Sequence, residues 1–154
     1  MAQDIRQLLR HDHDRIVATL EGLRTESDMR RAMGRLAELR RSWVIHALAE
    51  ETVVYRALES LEAGGKTLAD ERFIEHELVE GLFDKLSRSR PGTLEWNARL
   101  NVARELVGRH IDAEHDEMFT RLAARFEPAA LVEMGHRFVL ARDKLKLLEE
   151  AKAA

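Results

Sequence analysis

The chain has 154 residues but no cysteine, only two prolines and few aromatic residues. The absence of cysteine excludes disulfide bonds, thiolate metal ligands and thiol chemistry, so any metal site must be built from histidine and carboxylate side chains. No apolar run approaches the ~20 residues of a membrane span, and the first residues lack the apolar segment of a signal peptide. We therefore expect a cytoplasmic protein without a membrane segment.

The charge pattern also lacks a strong bias, because 28 acidic residues and 25 basic residues give a net charge of −3. The basic residues are dispersed among acidic ones and do not form the basic patch typical of nucleic-acid binding. Charged residues make up 34% of the chain and apolar residues 45%, which is a globular composition. We expect no nucleic-acid partner.

Apolar residues recur at helical spacing in five successive segments, which predicts an all-α fold. The pattern is broken most clearly by Gly64-Gly65 and by Pro91-Gly92. Thr67, just after the first of these breaks, is the predicted N-cap of the third helix. The breaks divide the chain into helices joined by short turns.

Short turns between consecutive helices favour an up-down-up-down four-helix bundle, which we expect over about residues 4–126. Pro128 suits the first position of an additional C-terminal helix, expected over about residues 128–151. This helix would cover an open edge of the bundle or contact a second copy. We expect a single domain over residues 1–154, acting as a monomer or a homodimer.

The most informative motif is His-x-x-x-Glu, which occurs at 46–50 and again at 110–114. Five residues after its glutamate, each copy has an aromatic residue, Tyr55 in the first and Phe119 in the second. The repetition of one spacing on two predicted helices indicates a shared site rather than independent core histidines.

Two shorter motifs repeat at nearly the same offset, Asp-His-Asp at 12–14 and Glu-His-Glu at 75–77. They fall on the first and third predicted helices, so each hairpin of two helices carries one short motif and one His-x-x-x-Glu. This arrangement predicts two hairpins related by a pseudo-twofold repeat. Folding would bring four imidazoles to a similar depth along the bundle axis.

Six residues on the inward stripes of these helices form the candidate metal site: His13, His46, Glu50, His76, His110 and Glu114. A residue four positions after a histidine lies about 40° around the helix and ~6 Å along it, so each His-x-x-x-Glu presents one nitrogen and one carboxylate to the same point. Two buried carboxylates would be costly without a cation. Imidazole combined with carboxylate suits iron, manganese or zinc.

The number of donors favours a dinuclear centre. Two six-coordinate ions offer about twelve positions, of which four imidazoles, two bridging glutamates and one bridging oxygen fill about ten. About two positions would be left for a small exogenous ligand. The donor set thus predicts a dinuclear site with an open edge and leaves the identity of the metal open.

In this order and spacing, the two His-x-x-x-Glu helices and the two shorter histidine motifs resemble the hemerythrin-like (HHE cation-binding) domain over about residues 4–122. The resemblance implies a non-haem centre of two Fe ions with an oxo or hydroxo bridge, which binds O2, nitric oxide or peroxide. The metal ligands that it implies are His13, His46, Glu50, His76, His110 and Glu114, with the two glutamates bridging.

The chain departs from the oxygen-carrying members that it resembles. Those proteins have an extra histidine one turn before the one matching His76, where this chain has Arg72 and Phe73. They place their second carboxylate five residues after the last histidine, where this chain has His115. A coordination position would then be open or filled by Glu80. The departures favour chemistry other than simple oxygen carriage.

Three functions are compatible with this pattern. The first is a binder of O2 or a related small oxidant at an open iron position. The second is an enzyme that decomposes peroxide at the same centre in the manner of a catalase. The third is an iron-responsive or metal-storage module whose fold depends on metal.

Neighbouring side chains are expected to pack or to face solvent rather than bind metal. Tyr55 is offset from the inward face of its helix, so packing is the favoured interpretation and contact with the site the alternative. Trp43 and Phe73 are expected to pack beside the site. Solvent exposure is predicted for seven polar residues, with contact to the site from outside as the alternative for several: His11, Asp12, Asp14, Glu75, Glu77, His115 and His136. Glu51 and Glu80 are expected at the surface or in contact with a metal ligand from outside, with metal ligation as the alternative.

Overall fold

The computed structural model describes residues 3–61 and 64–153. Over these ranges the chain forms five helices: α1 (Ile5–Thr25), α2 (29–59), α3 (Gly65–Ser87), α4 (94–125) and α5 (Pro128–Ala153). The first four pack as an up-down-up-down bundle, and α5 lies against α1 and α2. The predicted all-α fold with an additional C-terminal helix is confirmed.

The helix starts follow local hydrogen-bonding rules. Asp4 caps α1 by accepting a hydrogen bond of 2.7 Å from the Arg6 amide, and the Gln7 side chain accepts one of 3.1 Å from the Asp4 amide, which completes a capping box. The side chain of Asp28 accepts a hydrogen bond at the start of α2, and that of Thr93 does so at the start of α4. Side-chain oxygens thus satisfy amides that have no partner inside the helix.

The start of α3 differs from the prediction, since Thr67 is not its N-cap. The capping residue lies three positions earlier, at Gly64 with φ +89°, and the helix begins at Gly65. A Cβ atom on Gly65 would collide with the carbonyl oxygen of Leu58 in α2. The turn is so tight that glycine is required at both positions, and the capping oxygen of a threonine is not used.

Helices α2 and α4 each contain one five-residue π-helical turn, at Glu51–Tyr55 and Glu114–Met118. Residue i+5 bonds to residue i in a π-helix, so the turn is wider than an α-helical one. Both turns begin at the end of a His-x-x-x-Glu motif. The sequence repeat is therefore also a repeat of backbone geometry, which the sequence pattern did not predict.

Buried apolar side chains form two clusters with a polar layer between them. One cluster includes Leu9, Val53 and Met118, and the other includes Trp43 and Phe83. On each of α1 to α4 the buried polar residues fall between the residues of these two clusters. Within the part of the chain that the structure describes, none of the helices combines the length and apolar character that a bilayer-spanning segment requires.

Candidate metal centre

The polar layer contains the six residues that the sequence singles out, and each of them is at most 3% exposed. Their donor atoms form two overlapping groups, one of Glu50, His76, His110 and Glu114 and one of His13, His46 and Glu50. The donor atoms within each group lie within 4.8 Å of one another. Glu50 belongs to both groups.

Glu50 lies between the two helical hairpins. Its Oε2 atom is 3.5 Å from His46 Nε2, on the same helix, and 3.4 Å from His76 Nε2, on α3. The first distance is the i, i+4 relationship of the motif. The second joins the motif to the histidine of the other hairpin.

Glu114 has the equivalent place in the second copy. Its Oε1 atom is 3.3 Å from His110 Nε2 on the same helix, and its Oε2 atom is 3.2 Å from His13 Nε2 on α1. Each glutamate therefore faces one histidine of its own helix and one of the other hairpin. The pairing of each glutamate with a histidine of the other hairpin follows from the pseudo-twofold repeat.

Several inward-facing atoms of this layer have no hydrogen-bond partner among the described residues: His13 Nε2, His46 Nε2, Glu50 Oε1 and Glu114 Oε2. A buried polar atom without a partner costs about 1–3 kcal/mol. Lone pairs that converge without a donor between them are the arrangement that a cation satisfies. The donor set therefore fits a buried metal cation.

On the α3–α4 side, the outer ring nitrogens of two histidines face carboxylates. Glu51 lies 2.8 Å from His76 Nδ1, and Glu75 lies 2.8 Å from His110 Nδ1. Glu75 is itself paired with the buried side chain of Arg72 at 2.9 Å. A carboxylate on Nδ1 orients the ring and leaves Nε2 free to face the site.

The same pattern recurs on the α1–α2 side. Asp12 Oδ2 lies 3.5 Å from His46 Nδ1, and its other oxygen accepts a hydrogen bond from Arg142 of α5. His13 Nδ1 and His115 Nε2 share a hydrogen bond of 3.0 Å. All four inward histidines are thus held from outside, three by carboxylates and one by another histidine.

The favoured interpretation of Tyr55 as a packing residue is wrong, because its hydroxyl lies in the polar layer. It donates a hydrogen bond of 2.8 Å to Glu114 Oε1 and also lies 3.3 Å from Glu50 Oε2 and 3.1 Å from His76 Nε2. The π-helical turn is the cause, since it places residue i+5 over residue i. The sequence signal for this inward position was the spacing of five residues between Glu50 and Tyr55.

The prediction that Trp43 packs beside the site is confirmed, with its ring edge-on to the rings of His76 at 5.4 Å and His110 at 5.8 Å. The prediction for Phe73 is wrong, because its side chain is 44% exposed. Arg72 turns inward in its place and pairs with Glu75. Helix α3 is therefore rotated by one residue from the predicted stripe at this point.

The remaining polar residues divide into two sets. Five are exposed as predicted: His11, Asp14, Glu77, Glu80 and His136. Four are buried or half-buried and contact the inward histidines: Asp12, Glu51, Glu75 and His115. The prediction of exposure is wrong for Asp12, Glu75 and His115, whereas Glu51 contacts His76 from outside, which is one of the two positions expected for it. Glu80 is exposed on α3 and belongs to neither donor group.

The charges of the layer perturb one another strongly. Burial lowers the pKa of His76, but hydrogen bonds to Glu50 and Glu51 outweigh it and raise the pKa to about 9. Burial raises the pKa of Glu114, but the neighbouring charges of His110, His13 and His76 outweigh it and lower the pKa well below its ordinary value. The surrounding imidazoles thus favour the ionised form of Glu114 at a fully buried position.

A cavity of about 200 Å3 adjoins the layer. It is lined by residues of α1, α2 and α5, and it reaches Asp12, His46 and Arg142. The cavity therefore brings space for a small molecule as far as the His46 side chain.

Comparisons with known proteins agree with this geometry. The family model described as Hemerythrin HHE cation binding domain matches residues 4–122, a range that includes all six residues of the donor groups. A curated relative, a DNA nickase of Nostoc sp. (strain PCC 7120 / SAG 25.82 / UTEX 2576), is 20% identical over 143 residues, which cover 93% of this chain and 40% of that protein. The chain therefore spans less than half the length of this relative. No solved structure matches the chain.

Proposed function

Because the chain belongs to the hemerythrin HHE cation-binding domain family, we propose that its buried histidine–glutamate layer holds two iron ions and binds O2 or a related small oxidant, nitric oxide or peroxide. The observation that carries the proposal is the pair of overlapping donor groups that share Glu50. A carboxylate shared between two sets of histidines is the arrangement that bridged metal pairs in helix bundles use.

The proposed ligands follow from the two groups. His76 and His110 would hold one ion and His13 and His46 the other, with Glu50 and Glu114 between them. Imidazole and carboxylate donors also accept manganese or zinc, and the family supports iron. When bound, iron would supply reversible electron transfer to the oxidant, while the chain supplies the oriented donors and the apolar surroundings.

The cavity that reaches His46 would give a small ligand a route toward the layer. Its volume of about 200 Å3 accommodates a diatomic molecule or peroxide. The dispersed charge of the chain gives no basis for a nucleic-acid partner. We extend the proposal to a cytoplasmic single domain that acts as a monomer or homodimer.

Peroxide decomposition is the second candidate, and Arg72 favours it. This side chain occupies the turn where oxygen carriers place an extra histidine, and it is ion-paired with Glu75 at 2.9 Å. A permanently charged guanidinium cannot serve as a metal ligand. An ion held by His76 and His110 would therefore have one histidine ligand fewer than in the carriers, which favours reaction with peroxide over reversible binding of O2.

The first test is the iron content of the purified protein, with an optical spectrum for a bridged diferric pair. A stable, reversible adduct of the reduced protein with O2 supports binding, and rapid O2 evolution from peroxide supports the enzyme. Iron bound with neither activity supports a storage or iron-responsive module. His110→Ala should abolish the iron pair, whereas His136→Ala, at an exposed histidine, should leave it intact. A wild-type protein that takes up neither iron, manganese nor zinc overturns all three.

A further inference from the structure

We propose that Tyr55 is an additional metal ligand, whose phenol oxygen completes the donor set of the ion held by His76 and His110. The proposal rests on the proposed function, because it concerns the same site. It adds an oxygen donor to the ligand set predicted from the sequence, and it makes the two metal positions chemically different.

The position of the hydroxyl carries the proposal. The oxygen of Tyr55 lies 2.8 Å from Glu114 Oε1, 3.3 Å from Glu50 Oε2 and 3.1 Å from His76 Nε2. Two donors bound to one ion at about 2.1 Å, at right angles to each other, lie about 3 Å apart. The hydroxyl thus stands at ligand-to-ligand spacing from three members of a single donor group.

Hydrogen bonding alone does not account for this environment once a metal has replaced the proton on His76 Nε2. A phenol has one proton to donate, and here it faces two carboxylate oxygens and an imidazole nitrogen. His76 directs its other nitrogen at Glu51, 2.8 Å away, so once a metal replaces the proton on Nε2, the nitrogen that faces Tyr55 has no hydrogen to donate. One proton cannot satisfy three acceptors at once, whereas a cation among them satisfies all four atoms.

The second sequence copy provides an internal comparison. Phe119 occupies the position equivalent to Tyr55, five residues after Glu114, and it carries no hydroxyl. Its ring stacks on His115, with 4.9 Å between ring centroids. The group around His13 and His46 therefore has no matching phenol. The two copies of the sequence motif thus predict different donor sets for the two metal positions.

Ligation replaces the phenol O–H bond by an oxygen–metal bond and releases one proton to solvent. No oxidant is needed for this step. A phenolate bound to ferric iron absorbs visible light by charge transfer, and laser excitation in that band enhances the ring vibrations of the ligand. Tyr55 is the only tyrosine of the chain, so any such signal has a single source.

The test uses the full-length protein loaded with ferric iron, with iron per chain measured on the same sample. We expect a charge-transfer band, enhanced tyrosine ring vibrations in the Raman spectrum, and a shift of those vibrations when the protein is made with ring-deuterated tyrosine. Tyr55→Phe, which removes only the hydroxyl, should lose the band. Protein loaded with zinc should show no band, because zinc has no accessible charge-transfer state of this kind.

Two outcomes overturn the proposal, and iron content distinguishes them. Two irons per chain without enhanced tyrosine vibrations, or an unchanged band in Tyr55→Phe, removes Tyr55 from the ligand set and leaves the iron site intact. A wild-type chain that binds no iron overturns the proposed function and this proposal together. If Tyr55→Phe does not fold, the isotope shift in the wild-type protein decides the question.

Discussion

Arg142 of the C-terminal helix donates a hydrogen bond of 2.8 Å to Asp12 Oδ1, and the other oxygen of Asp12 lies 3.5 Å from His46 Nδ1. Burial raises the pKa of Asp12, but hydrogen bonds and charges from His46 and Arg142 outweigh it and lower the pKa below its ordinary value. The carboxylate is therefore ionised and shared between a helix of the bundle and α5. The C-terminal helix not only covers the bundle but also helps to orient a candidate metal ligand.

Replacement of Arg142 by alanine should weaken both the fold and the metal site. It leaves Asp12 buried without its cationic partner, which we expect to destabilise the metal-free protein by about 1–3 kcal/mol. Loss of the outer support of a ligand histidine should lower zinc affinity roughly tenfold. Denaturant unfolding and competition with a chelator measure the two effects.

Arg137→Ala is the matched control for this variant, because Arg137 is exposed on the same helix. We expect its unfolding free energy to change by less than about 0.5 kcal/mol and its metal affinity to be unchanged. Equal metal affinity in Arg142→Ala and Arg137→Ala would show that α5 has no influence on the site.

Glu75→Gln should reduce metal affinity roughly tenfold to a hundredfold, because the 2.8 Å contact to His110 Nδ1 would lose its charge. Glu80→Gln on the same helix is the control, since Glu80 is exposed. It also tests whether Glu80 fills a coordination position, as the spacing after His76 had allowed. Zinc titration followed by calorimetry compares the two variants, and a larger loss in Glu80→Gln than in Glu75→Gln would contradict the structure.

Much of this site follows from helical periodicity. The inward stripes are regular on α1 and through the α-helical parts of α2 and α4, so His13, His46 and His110 could be placed in the core from spacing alone. The i, i+4 relationship then brought each glutamate to the same face as its histidine. These residues depend only on α-helix geometry, which the sequence encodes strongly.

The residues that were missed lie in the π-helical turns or depend on tertiary contacts. Along an α-helix a residue five positions on lies about 140° away, so Tyr55 was predicted to pack away from Glu50 and His115 was predicted to face solvent. The π-helical turns change this relationship. The inward turn of Arg72 depends on its pairing with Glu75, and neither single-helix periodicity nor residue type predicts such a contact.

Gly135→Ala should destabilise the protein by about 1–3 kcal/mol through overpacking. A Cβ atom at this position of α5 would collide with the carbonyl oxygen of Gln3 and would lie 3.2 Å from Leu8 Cδ1. The backbone of α5 therefore approaches the start of α1 so closely that only glycine fits.

Gly81→Ala is the control, and its expected effect on stability has the opposite sign. A Cβ atom there has no neighbour within 4 Å, so alanine should stabilise α3 by about 0.5–1 kcal/mol through its better helix propensity. Thermal and denaturant unfolding of the two variants test the contrast. A Gly135→Ala protein as stable as the wild type would contradict the close approach of α5 to α1.

The metal-free protein should lose stability as the pH rises from about 6.5 to about 9.5. The pKa of His76 is raised from 6.5 to about 9 by hydrogen bonds to Glu50 and Glu51, which outweigh the effect of burial. Since the folded-state pKa lies above the unfolded one, the stabilisation is complete below 6.5 and is lost as the pH passes through about 9. The loss approaches about 3 kcal/mol. Glu114 does not oppose this trend, because its lowered pKa affects stability only under acidic conditions.

Bound zinc should reverse the trend, because a metal needs the unprotonated nitrogen of His76 and its affinity rises as that proton leaves. Denaturant unfolding across this pH range, with a chelator and then with zinc, measures both slopes. His76→Gln should flatten the slope of the metal-free protein, whereas His11→Gln, at an exposed histidine, should not. A metal-free stability that is constant or increases from pH about 6.5 to about 9.5 would mean that His76 is not held protonated by the two glutamates.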